Sequence, residues 1–266
     1  MRLPRLRLAR DTVPWAMESQ KAPWNLALRR IAATKDPREI QNETLIAWDD
    51  HTYVIYDGYP KAQFHFLVLP RIPFVIEEET PQGQKKTVTV PLRDMDSIRA
   101  LLASRFANAV LGRIAAMEQR MVDHIRTCMR QTAITSDGAA QYAEPGRTDG
   151  LEWGIRSGFH AVPSMRHLHL HIISDDLVSD RMKQRKHYLS FHPHMGIWLP
   201  IADAQALANA GRNLPHTEEE YEAKLRAPLY SLDMARTYNS MPELKQYLRK
   251  RWRALRAAPR SAPIEP

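Results

Sequence analysis

Three histidines, His167, His169 and His171, stand at alternate positions in the stretch MRHLHLHIISDD (165–176), separated by Leu168 and Leu170. They are three of the chain's 11 histidines, gathered within five residues. Imidazole is neutral near pH 7, so it can attack phosphorus, carry a proton or ligate a metal. Two chemistries fit three of them in register. A shared metal ion is one, and it would call for a further ligand and for carboxylates behind the imidazoles, of which Asp175 and Asp176 are nearest. Nucleophilic catalysis on phosphorus is the other: one ring attacks, its neighbours hold the phosphate oxygens, and no metal takes part. A chance alternation of surface histidines would leave the register of three unexplained.

The elements that must position these rings can be read from periodicity. Alternation with leucine, continued into Ile172 and Ile173, predicts a half-buried β-strand with all three imidazoles on one face. Upstream, NLALRRIAATKDP (25–37) has the apolar spacing of a short helix that stops at Pro37. Residues 43–71 read as strand, turn, strand, turn, strand, at 46–48, 53–56 and FHFLVLP (64–70), with DGYP as turn chemistry. Residues 90–131 predict one long helical stretch, 135–153 a Gly- and Asp-rich loop, and 154–174 a return to strands. After Pro200 the chain becomes helical and polar, then basic. Strands, helix, strands and helices in that order predict an α+β fold, an antiparallel sheet with helices packed on it.

Composition narrows the class. An apolar share of 44% and a charged share of 26% are ordinary for a globular chain. No stretch approaches ~20 uninterrupted apolar residues, so no helix is expected to span a membrane. MRLPRLRLAR at the amino end lacks the apolar core of a secretory signal; its four arginines and lack of acids are also what a transit peptide shows. The single cysteine, Cys128, is expected in the core and fits a reducing compartment. The formal charge of +8 is concentrated: between Lys224 and Arg260 stand ten Lys or Arg against only Asp233 and Glu243. A solvated helix face is the ordinary reading of such a run; with the basic amino end, the imbalance points to a polyanion.

The string His-Leu-His-Leu-His-Ile-Ile at 167–173 resembles the signature of the histidine-triad hydrolases and transferases. DGYPKAQFHFLVLPR (57–71), GFHAVPSMRHLHLHIISDD (158–176) and RKHYLSF (185–191) are similar to the aprataxin branch, the DNA 5′-adenylate hydrolases, over roughly residues 20 to 255. The resemblance implies that His169 attacks the α-phosphate of an adenylate to give a covalent His–AMP, which water then hydrolyses to AMP. It implies that His171 and His65 hold the non-bridging oxygens, with Ser164 adding a hydroxyl, and that His167 buttresses the strand. His160 would meet the leaving DNA phosphate and its proton, and Asp57 the ribose hydroxyls. Leu45 and Ile46 would wall the adenine; Lys61, Lys186 and His187 would meet the nucleic acid. Trp24 would either stack on a DNA end or anchor its helix. No cofactor is required. The partner is DNA with 5′-adenylated ends or nicks, the chain is expected to be monomeric, and the compartment is the nucleus, with the cytoplasm open as well. A general adenosine phosphoramidate hydrolase and a non-catalytic end-binding module are the alternatives.

The same resemblance divides the chain into a basic segment (1–19), a catalytic domain (20–200), a DNA-binding region (201–256) and a tail (257–266). The family's DNA-binding region carries a zinc finger. Here its cysteine positions fall on Ser231 and Met234 and its histidine positions on Tyr247 and Arg251, so a zinc-finger-like framework without metal is expected. Leu244, Leu248 and Trp252 would pack this helix down, leaving Arg249, Lys250 and Arg253 toward DNA.

Overall fold

The computed structural model describes residues 23–40, 44–130 and 153–257. The basic segment 1–19, nearly all of the expected 135–153 loop and nearly all of the tail lie outside the described residues. Six strands form one antiparallel sheet. In chain order they begin with β1 (Leu45–Trp48), β2 (Thr52–Tyr56) and β3 (His65–Pro70). A separate hairpin of β4 (Val75–Glu79) and β5 (Lys85–Thr89) follows, then β6 (Ile155–His160), β7 (Leu170–Ser174) and β8 (Trp198–Pro200). The sheet order is β1-β2-β3-β7-β6-β8.

Register fixes the two faces. Leu67 of β3 stands opposite His171 of β7, and His171 opposite Gly158 of β6. One face therefore carries Tyr53, Ile55, His65, Leu67, His171 and Ile173, while Val54, Phe66, Val68, Leu170 and Ile172 point the other way. That second face is the main core. It is covered by α2 (Ile98–Leu102), through Ile98, Leu101 and Leu102, and above all by α3 (Ala107–Arg130), which presses Leu111, Ile114, Met117 and Met121 onto it, whereas α1 (Ala27–Ala32) packs on the other face. Cys128 is buried there too. The expected single helix over 90–131 is broken in two. Ser97 caps α2 by accepting the Ala100 N–H, and the Ser104 hydroxyl donates to Asp94 while accepting the Phe106 N–H, which turns the chain before α3 restarts.

The histidine face is covered at two ends and left open between. At the β1–β2 end, Leu28 and Ala32 of α1 pack on Tyr53, Ile55, Leu67 and Leu69. At the other end lie α4 (Arg185–Leu189) and two carboxy-terminal elements, a hairpin of β9 (Leu229–Tyr230) and β10 (Thr237–Tyr238) and the helix α7 (Met241–Ala257), whereas α5 (Ile201–Asn209) and α6 (Glu218–Lys224) turn Ala204 and Tyr221 into the main core on the opposite face. Tyr188, Phe191, Trp198, Leu229, Leu244 and Leu248 form one apolar cluster with Ile173. The 201–256 segment thus shares a core with the sheet. Among the described residues no helix is long and apolar enough to cross a membrane.

Candidate active site

The histidines lie in the gap between those two covers. The strand does not hold all three, contrary to the alternation reading. β7 begins at Leu170, and His167 has φ +91°, a left-handed value costly for a residue with a β-carbon. Long-range bonds impose it. The His167 N–H donates to the Asp96 carbonyl at 3.2 Å, the Leu168 N–H to Met95 at 2.6 Å, and His167 Nε2 to the Pro70 carbonyl at 2.6 Å.

These bonds set the state of the next ring. His169 Nδ1 lies 2.8 Å from the His167 carbonyl, which can only accept, so the proton sits on Nδ1 and Nε2 keeps its lone pair. A second relay fixes His171. The Lys61 N–H donates to His65 Nδ1 at 3.0 Å, so His65 carries its proton on Nε2 and gives it to His171 Nδ1 at 2.9 Å. His171 is left with an Nε2–H that is buried and has no partner among the described residues. His160 Nε2 is in the same condition, its ring 4.4 Å from that of His171 and 4.5 Å from Phe191. A pocket lined by Ser97, Phe159, His160, Pro163, His167 and His169 opens beside them. With His167 Nδ1, three buried imidazole nitrogens have no partner among the described residues, a cost unless a ligand satisfies them.

Burial keeps these rings uncharged. It pulls His65 and His167 to about 4 and His160 to about 3 from the usual 6.5, and it lowers His169 and His171 as well. Asp57, at the turn into β3, has Oδ1 accepting the Tyr59 N–H at 2.7 Å and Oδ2 3.4 Å from His65 Nε2. Burial raises its carboxyl, but His65, Lys61 and the Tyr59 N–H outweigh this and hold it below the usual range. Lys61 is buried beside it, its ammonium on the Tyr59 carbonyl, and burial lowers its pKa.

Asp57, His65 and His171 also present ligand atoms within 4.8 Å of one another. The donor set does not suit a metal ion. The Lys61 N–H on Nδ1 obliges His65 to keep its proton on Nε2, where a lone pair would be needed.

The remaining expected residues fall in different places. Leu45 packs on the histidine face with the α1 cluster. Ile46 does not: as the next residue along the strand it points into the main core on the opposite face, so it cannot wall an adenine there. Ser164 is exposed in the loop before the triad. Lys186 is exposed on α4, and burial pulls the adjacent His187 to about 4. Trp24, in a 3-10 turn ahead of α1, is 57% exposed. On α7, Arg249, Lys250 and Arg253 face solvent, with Arg249 3.2 Å from Asp180.

Sequence reasoning missed the residues that hold these parts together. Buried Asp176 accepts the Gln63 and Val178 N–H groups, the Ser174 hydroxyl and the Trp153 indole N–H, tying together the approach to β3, the end of β7 and the approach to β6. Gly158 is needed because a Cβ there would stand 2.6 Å from Trp198 Cε2 and from the Leu199 carbonyl, beside His171. The glycine in GFH, and Asp176 standing beside the triad in sequence, were the signals.

The zinc positions are otherwise engaged. The Ser231 hydroxyl donates to Asp233 at 2.5 Å and accepts the Arg236 N–H at 2.9 Å, while its carbonyl meets His192 Nε2 at 3.0 Å. Met234 is exposed at φ +60°. The Tyr247 ring stacks on Tyr238 at 5.3 Å, and Arg251 donates to the Asp175 carbonyl. Neither thiolate nor imidazole stands at any of the four, so these residues do not fit a zinc ion.

A sheet that buries a histidine triad between two apolar covers defines a class, and sequence comparison agrees. Residues 38–177, just over half of the chain, match the HIT domain family, and the chain belongs to it. Within that family it is aprataxin-like. It is 26% identical over 201 residues to the aprataxin-like protein of Saccharomyces cerevisiae, covering 75% of this chain and 81% of that one. It is 29% identical over 205 residues to aprataxin of Gallus gallus, covering 77% of this chain and 49% of that one, so it spans about half of the Gallus gallus protein's length. The solved structure of Hnt3 in complex with DNA and guanosine superposes with a TM-score of 0.57 at 21% identity, covering 88% of this chain and 97% of that chain. The crystal structure of the aprataxin ortholog Hnt3 from Schizosaccharomyces pombe gives 0.51 at 24%, covering 89% and 95%. At these identities the likeness establishes the fold.

Proposed function

We propose that the protein removes AMP from 5′-adenylated DNA ends and nicks through a covalent adduct on His169. The observation that carries this is the tautomer of His169, whose Nε2 lone pair is set free by the bond from Nδ1 to the His167 carbonyl. In the first step that lone pair forms an N–P bond to the α-phosphorus while the P–O bond to the DNA 5′-phosphate breaks. The ring becomes cationic, and the His167 carbonyl, already accepting Nδ1–H, stabilises the charge. His171 Nε2–H, unpaired in the free protein, donates to a non-bridging oxygen. The DNA leaves as a phosphate monoester, whose second pKa near ~6 lets it depart without a full proton. His160, held neutral by burial, therefore serves the leaving phosphate as a hydrogen-bonding ring and not as a full acid. In the second step water adds to phosphorus, the N–P bond breaks, AMP leaves and one proton is lost to solvent.

On this reading no metal or cofactor takes part and AMP is the product. Similarity to aprataxins, and to Hnt3 solved with DNA, supports DNA as the polymer and with it action in the nucleus; that the protein acts as a monomer is part of the proposal. The carboxy-terminal segment is read as a metal-free counterpart of the family's zinc module. The test is AMP release from an adenylated nicked duplex with EDTA present. The wild type is expected to turn over and to yield an acid-trapped protein–AMP adduct, and His169→Ala to give neither. An adduct that survives in His169→Ala would assign a different nucleophile; activity that EDTA abolishes would favour a metalloenzyme.

A further inference from the structure

The amino-terminal helix is tied to the segment carrying the nucleophile by contacts that the reaction chemistry does not use. The Arg166 N–H donates to the Asn25 carbonyl at 2.8 Å. The Arg29 guanidinium pairs with the Asp96 carboxylate, their side chains 23% and 35% exposed. The Asp96 carbonyl is the acceptor for His167 N–H, and the His167 carbonyl is the acceptor for His169 Nδ1. A continuous chain of bonds thus runs from Arg29 through Asp96 and His167 to His169. His167, its third member, is the one in a strained left-handed conformation, which persists only where its neighbours over-determine it. An ion pair that stays partly exposed adds little to global stability, so the effect of this one is on position.

We propose that Arg29 and Asp96 are positioning residues for the nucleophile: their ion pair clamps the Asp96 carbonyl against His167 N–H and so aims the carbonyl that orients His169. This rests on His169 being the nucleophile, as proposed above. It also makes α1, with exposed Trp24 just ahead of it, part of the catalytic support, so a polymer end resting on that helix bears on the same strut.

Adenosine phosphoramidate is the informative substrate, because it has no polymer to reach Arg29. Arg29→Ala is expected to lower kcat on it roughly tenfold or more while KM moves less than about twofold. Arg29→Lys, which keeps the charge, is expected to restore part of the loss, and Asp96→Asn to fall between. Independently of turnover, long-range 1H–15N spectra read which nitrogen of His169 carries the proton. The wild type is expected to show Nδ1–H alone and the Arg29→Ala and Asp96→Asn proteins a mixture of tautomers. Unchanged kcat together with an unchanged tautomer overturns the proposal, as does a loss confined to KM, which would make Arg29 a substrate contact. If Arg29→Ala does not fold, Arg29→Lys and Asp96→Asn carry the same readouts. A wild type that hydrolyses no adenylate, with a tautomer still scrambled in Asp96→Asn, overturns the function and keeps the positioning role.

Discussion

At the scale of single residues, neutrality is the property the site is built around. A protonated His169 would have no lone pair, and a charged His160 or His65 would repel it; burial suppresses both. The cost appears in stability. An unfolded histidine takes up a proton as pH falls through 6.5, whereas the folded chain resists until about 4 at His65 and His167 and about 3 at His160. A depressed folded pKa leaves stability intact above the unfolded value and erodes it below. The loss should run from pH 6.5 downward at up to ~1.4 kcal/mol per pH unit for each such ring. Melting temperatures across that window check it: they should fall, and His160→Asn should flatten the slope by about one proton's worth, whereas a pH-independent Tm would contradict the assignment. The acid limb of kcat/KM should likewise lie below 6.5. Gly158 supplies a second expectation at this scale. A Cβ at 2.6 Å from the indole of Trp198 and from a backbone carbonyl forces a shift beside His171, so Gly158→Ala should cost about 1–3 kcal/mol in urea unfolding and slow turnover.

At the scale of elements, α7 replaces by packing what a metal would supply. Leu244 and Leu248 are buried, and Trp252, about one turn beyond Leu248, sets its ring edge-on to Trp153 at 4.7 Å. Trp252→Ala should therefore destabilise the protein by about 2 kcal/mol or more, while chelators leave the melting curve unchanged. Elemental analysis of protein purified without added metal should give well under one zinc per chain, and near-stoichiometric zinc would refute the metal-free reading. The helix was legible in the sequence because its apolar residues recur at four. So were β1, β2, β3 and β7, whose apolar runs are bounded by turn residues. The β4–β5 hairpin was not, since it is largely exposed, its Glu and Lys runs mask the strand pattern, and the short Thr-Val alternation at 87–90 runs straight into the helical stretch. The helix break before α3 depends on Ser104 reaching Asp94, and the turn at His167 on Pro70 and Asp96. Both are set by residues distant from the local pattern. The residue types at the site and their spacing were therefore visible, whereas the tautomers and the hydrogen bonds that converge on Asp176 are products of tertiary contact.

At the scale of the whole molecule, the basic residues gather on the lobe that closes one side of the site. Arg181, Lys183, Arg185 and Lys186 are exposed in and before α4, and Lys250 and Arg253 on α7, while Tyr188, Leu189, Leu244 and Leu248 pack those two helices into one cluster. Positive charge held on a shared apolar core beside a catalytic cleft will attract a polyanion whatever its sequence, chiefly through its phosphates. That gives a quantitative expectation which separates a DNA-end enzyme from a hydrolase of small adenylates. Each phosphate contact releases counterions, so kcat/KM on an adenylated nick should fall with rising salt, the log–log slope steepening by about 0.9 for every phosphate engaged. Hydrolysis of adenosine phosphoramidate, which has no polymer, should barely respond over the same range. Reversing Arg249, Lys250 and Arg253 together should flatten the slope for the nick and raise its KM, leaving the small substrate unaffected, because none of the three reaches the histidines. Arg249 should count least of the three, since Asp180 already lies 3.2 Å from it. Parallel salt curves for the two substrates would remove the polymer from the reading, and an unaltered slope in the triple variant would move the DNA contacts off α7.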